Sequence, residues 1–142
     1  MATWHRVVAL GVGGLMLANT AWAAQHDAAG WSAVSSLAGL PAEVGKYLHD
    51  SNAPADRGQL YNESCIVQAG VPSTRFVLAA ASENEVIVAI EHGGRGHGVN
   101  TYAFRQENRH WQPVGQGSVA FNVDLLTAGV LVAQHQKSAH PL

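Results

Sequence analysis

This 142-residue chain is predicted to adopt an α+β fold: a four- to five-stranded antiparallel meander, with short N-terminal helices and a C-terminal helix packed on one face. Three features predict it. Apolar residues recur at helical offsets before residue 50. Segments rich in β-branched and aromatic residues follow between Cys65 and Val114, and the connections between those segments are short and polar. Short connections make successive strands antiparallel neighbours. The length suits one small domain, and 47% hydrophobic against 13% charged residues excludes a disordered chain.

The first element is an address. Residues 1–23 carry a polar start with His5 and Arg6, an apolar run from Val7 to Leu17, and Ala21-Trp22-Ala23 after Asn19-Thr20. That is the n-region, h-region and A-x-A end of a cleaved secretory signal peptide, and the apolar run is too short and too interrupted by glycine to span a membrane. Residues 24–142 then form the single mature domain, in the periplasm, with no membrane anchor. Cys65, the only cysteine, has no disulfide partner in that oxidising compartment. Next to Ile66 and Val67 it reads as a buried apolar residue.

Two short helices open the domain. Trp31 to Leu40 carries Val34, Leu37 and Leu40 at helical offsets, and Ala42 to His49 follows Pro41 with Val44, Tyr47 and Leu48 spaced three and four apart. Asp50 to Asp56 is loop by composition. Cys65 to Gln68, Arg75 to Ala81, Glu85 to Glu91, Val99 to Arg105 and Arg109 to Val114 read as strands, with Ser82-Glu83-Asn84 and Gln106-Glu107-Asn108 as turns. Val86-Ile87-Val88 marks a central strand covered on both faces. Phe76, Trp111 and Phe121 are assigned to the core. Tyr102 and Phe104 share a strand face and are either core or an exposed aromatic patch. After Asn122 a helix through Leu125, Leu126, Val130 and Ala133, capped by Asn122 or Asp124, is preferred over a strand at Val130-Leu131-Val132. Residues 135–142 are expected to fray.

Generic composition gives way only at Glu91-His92-Gly93-Gly94-Arg95-Gly96-His97-Gly98, between the two strongest strands. Its glycines let another molecule approach the backbone closely, Arg95 is a forked donor for a carboxylate, and the two histidines can titrate or hydrogen-bond. The glycine spacing does not match a phosphate-binding loop, and a strand follows it instead of a helix. No G-x-S-x-G elbow, H-E-x-x-H or paired-carboxylate motif is present. A net charge of −2 with dispersed basic residues gives no nucleic-acid footprint.

The expectation is therefore a non-enzymatic periplasmic binding module without a cofactor. Its contact residues would be His92, Gly93, Gly94, Arg95, Gly96 and His97, and its partner another periplasmic protein. In its concrete form it is an inhibitor or immunity-type protein blocking a cell-wall-degrading enzyme. One alternative is a metal-binding protein using His92 and His97, with Glu91, His110, His135 or His140 as further ligands; every histidine except His5 follows the leader. The other is a thiol hydrolase pairing Cys65 with His92, His97 or His110. Ser64-Cys65-Ile66-Val67-Gln68-Ala69-Gly70-Val71 resembles the cysteine segment of the NlpC/P60 cell-wall peptidases, which implies a nucleophilic Cys65. It departs from that family with Ser64 in place of Asp and Ile66 in place of Ser.

Overall fold

The computed structural model describes residues 30–120 and 122–142; the leader expected over residues 1–23, residues 24–29 and Phe121, assigned to the core, lie outside the described residues. Strands β1 (Ser32–Val34), β2 (Thr74–Ala81), β3 (Glu85–His92), β4 (Gly98–Glu107) and β5 (His110–Val119) form one antiparallel sheet in sequence order. Helix α1 (Ala42–Asn52) precedes β2 and helix α2 (Ala128–Ser138) follows β5. The fold is α+β, a five-stranded meander with two helices.

The helices take opposite faces, not the single face expected. Val44 and Leu48 of α1 pack on Phe76, Ala79, Val86, Val88, Ile90 and Phe104. Ala128, Leu131 and Val132 of α2 pack on Leu78, Ala80, Ile87, Ala89 and Val99. The period-two alternation of β3 divides its apolar residues between these two layers, which is why its β-branched run is continuous. Tyr47 of α1 meets Phe104 edge to face, with ring centroids 5.2 Å apart, and Tyr102 is partly buried beside it. Phe76 is fully buried, whereas Trp111 is only partly covered. Among the described residues no helix is long and apolar enough to cross a membrane.

Two register shifts shape the sheet. Phe76 pairs with Ile90 but Leu78 with Ala89, so Val77 is the extra residue of a β-bulge. Ala103 pairs with Gly115 but Phe104 with Pro113, which puts a second bulge at Val114 on the edge strand, where proline is tolerated.

Other expectations need correction. Trp31 to Leu40 is not a helix: Ser32–Val34 pairs with Ala79–Ala81, and only Leu37–Gly39 makes a 3₁₀ turn. Cys65 to Gln68 is not a strand but an exposed loop. The β4–β5 turn centres on Asn108 and Arg109, both at positive φ. Asn122 caps a 3₁₀ turn at Val123–Leu125, while Thr127 caps α2 by accepting from the Val130 N–H. The chain end is tied down as well: His140 and Gln116 exchange backbone hydrogen bonds of 2.9 and 3.0 Å.

Candidate functional site

The glycine-rich loop leaves β3 at His92 and re-enters the sheet at Gly98, directly opposite in the β3–β4 register. Its first half turns inward. A Cβ on Gly93 would lie 2.4 Å from the Asn62 carbonyl oxygen and 2.5 Å from the Glu63 Cα, so only glycine fits there. The Gly94 N–H donates to the Glu63 carbonyl at 2.8 Å, and the Cys65 Sγ lies 4.0 Å from where a Gly94 Cβ would stand. Gly94 and Gly96 both have φ +88°. The loop is thus stitched to a second one, the connection of residues 53–73 that joins α1 to β2.

Asn62 organises that second loop. Its Oδ1 accepts from the Ser64 N–H at 2.9 Å and its Nδ2 donates to the Ile66 carbonyl at 2.6 Å. Side-chain bonds of this local kind compete with strand pairing, which accounts for the loop at Cys65–Gln68. The backbone turns Ile66 and Val67 outward, 76% and 91% exposed, with Leu60 at 81% in the same segment. Cys65 is exposed too, contrary to its expected burial. The expected strand at Cys65–Gln68 put Ile66 and Val67 in the core, which hid this apolar surface from the sequence.

Beneath the two loops lies a charged cluster. Glu91 is 3% exposed. Its Oε2 accepts from Arg75 Nε and Nη2 at 3.1 and 2.7 Å, and its Oε1 lies 2.8 Å from His97 Nε2. The Arg75 guanidinium carbon sits 4.3 Å from the centroid of the Tyr61 ring, a cation–π contact, and the Tyr61 hydroxyl is 3.4 Å from His97 Nε2. Burial alone would push the Glu91 carboxyl up, but the hydrogen bonds from Arg75 and His97 outweigh it and hold the group below the usual carboxylate range. Burial, with the Glu91 charge beside it, pushes the Tyr61 phenol up to about 12.

The bulge makes this cluster possible. Carried unbroken from the Ala81–Val86 end, the β2–β3 register would set Arg75 opposite His92; the extra residue at Val77 sets it opposite Glu91 instead. A bulge carries no sequence signature of its own here, so Arg75 and Tyr61 were not legible as site residues. The charge at the end of the apolar Glu85–Glu91 segment was the available hint.

Of the six expected contact residues, Arg95, Gly96 and His97 are exposed, with His97 tied to Glu91 through Nε2. Gly93 and Gly94 face the neighbouring loop. His92 is partly buried, its ring against Gly98. Among the described residues Arg95 has no hydrogen bond or ion pair. The metal-ligand set does not assemble: His110 sits at the opposite end of the sheet, 2.9 Å from Glu43 Oε1, and His135 Nδ1 is 2.7 Å from the Thr101 hydroxyl. Among the described residues no three His, Cys, Asp or Glu side chains gather as a metal site. Nor does a hydrogen bond join the Cys65 thiol to any histidine among those residues. No family model, curated protein or solved structure matches this chain, so the short likeness to the NlpC/P60 peptidases gains no support from them.

Proposed function

We propose that this protein is a periplasmic protein-binding module whose contact surface is the end of the sheet formed by the Gly93–His97 loop and the Leu60–Val67 segment. The supporting observation is that exposed Ile66 and Val67 on one loop and exposed Arg95 on the other, which has no hydrogen bond or ion pair among the described residues, are carried by two loops fixed to each other through Gly93 and Gly94. Large apolar side chains held outward on a braced backbone gain affinity at low ordering cost. An arginine on the adjoining loop supplies a directed charge contact. The Glu91 clamp belongs to the same reading: the residue is buried and both its carboxylate oxygens are engaged, by Arg75 and His97, so it positions the loop.

In its concrete form the module inhibits a cell-wall-degrading enzyme. The braced loop enters the cleft, and Arg95 meets one of the carboxylates on which glycoside hydrolysis depends. The leader expected over residues 1–23 supports the compartment. The test is hydrolysis of peptidoglycan by a purified periplasmic muramidase from the producing organism, with the protein added. Stoichiometric inhibition that Arg95→Ala weakens is the expected result; unchanged hydrolysis at saturating protein overturns the inhibitor form.

A further inference from the structure

A second site lies away from that surface, where the C-terminal part of α2 and residues 139–141 overhang the sheet. A cleft of about 430 Å³ opens there, lined by Trp31, Ile87, Ala103 and Val114, with Glu85 and Arg105 on one side and His135 and His140 on the other. Its volume falls within the range of small-molecule sites. Its outer wall is held by the backbone bonds between His140 and Gln116.

His135 is the reason to regard the cleft as built. The residue is 7% exposed, and its Nδ1 is 2.7 Å from the hydroxyl of the fully buried Thr101. Among the described residues that hydroxyl has no other partner, and a buried hydroxyl must place its proton somewhere. Thr101 therefore donates to Nδ1, and the proton of the neutral imidazole sits on Nε2. Burial keeps the ring neutral by disfavouring its charged form, with a smaller opposing pull from Glu85. Nε2 has no hydrogen-bond partner among the described residues, yet it is not sealed from solvent as the lone unpartnered buried atom, Thr74 Oγ1, is. His135 lines the cleft, and we assign its free Nε2 to that space.

The ligand chemistry follows from what surrounds this donor. Arg105 Nε and Nη2 donate to Glu85 Oε1 at 3.0 and 2.7 Å, so the guanidinium charge is compensated and the cleft has no net pull on a carboxylate. Glu85 Oε2 remains as an acceptor, and the floor is apolar. A donor, an acceptor and an apolar floor together match a secondary amide. We propose that this cleft binds a small secondary amide, either the N-acyl group of an amino sugar or a peptide bond. The amide carbonyl accepts from His135 Nε2, its N–H donates to Glu85, and its apolar substituent rests against Trp31 and Ala103.

The test is an NMR titration of the folded, isotope-labelled protein, following the His135 ring and the Trp31 indole N–H. The probes are N-acetylglucosamine and N-acetylalanine methylamide, with glucosamine and alanine as amide-free counterparts. Saturable shifts at both reporters with either amide, and not with the counterparts, are expected, and the amide that saturates first identifies the source. Glu85→Ala, a rim substitution that leaves the core intact, is expected to weaken binding about fivefold. His135→Phe, if folded, is expected to abolish it. Equal shifts with the amide-free counterparts, no saturable shift through the millimolar range, or unchanged affinity in Glu85→Ala would overturn the proposal.

Discussion

Gly93 and Glu91 carry opposite kinds of constraint two residues apart. Gly93 has backbone atoms where a side chain would begin, so Gly93→Ala must push the two loops apart. A cost of about 1–3 kcal/mol is expected for such overpacking. Gly96 has open space around it but φ +88°, so Gly96→Ala is expected to cost about 1 kcal/mol through backbone strain alone. Denaturant unfolding of both variants separates steric from torsional constraint. Glu91→Ala leaves Arg75 without its partner and is expected to cost about 3 kcal/mol. The pH dependence follows from the same carboxylate. Its folded pKa lies below the ordinary 4.5, so the stability it contributes is fully present above that value and lost as pH falls through the folded pKa. Thermal melts below pH 4.5 should therefore fall more steeply for the wild type than for Glu91→Gln.

At the scale of elements, the β4–β5 turn is a strained connection. Asn108 and Arg109 have φ of 50° and 70°, the positive values that a two-residue hairpin turn with right-handed twist requires. Asparagine adopts them at lower cost than arginine does. Arg109→Gly is expected to raise stability by about 1 kcal/mol, read from the shift of the denaturation midpoint. The same contrast between local chemistry and tertiary context decided which elements were legible. The β-branched run in β3 and the periodic apolar residues of α1 point one way at every level, and both elements form, although α1 runs on to Asn52 through three residues expected as loop and β3 runs one residue further, to His92. Val34, Leu37 and Leu40 fit a helical spacing equally well as a short strand followed by a 3₁₀ turn, and pairing with Ala79–Ala81 tips the balance. Asn62 and Ser64 withdrew Cys65–Gln68 from the sheet through bonds that no periodicity records. The glycine-rich loop was legible by composition, but the two residues that anchor it from outside, Arg75 and Tyr61, reach it only through the bulge and the long α1–β2 connection.

For the whole molecule, the sheet separates two ends with different chemistry. One end has the paired loops over the Glu91 clamp, with apolar residues and Arg95 turned outward. Towards the other lies the His135 cleft, closed by a C-terminal segment tied to β5. A helix packs on each face of the sheet, and the proposed recognition is assigned to these margins. The central claim is that the loop end binds a protein, and the direct test is capture from the native periplasm on the full chain tagged at its C-terminus. Three single variants run alongside: Arg95→Ala and Val67→Asp on the proposed surface, and Glu107→Ala at the opposite end. Exposed substitutions such as these are expected to leave folding stability within about 0.5 kcal/mol. The account predicts one protein retained in stoichiometric amount by the wild type and Glu107→Ala and lost with Arg95→Ala and Val67→Asp. Equal retention by all four proteins, or no stoichiometric protein with the wild type, would contradict it.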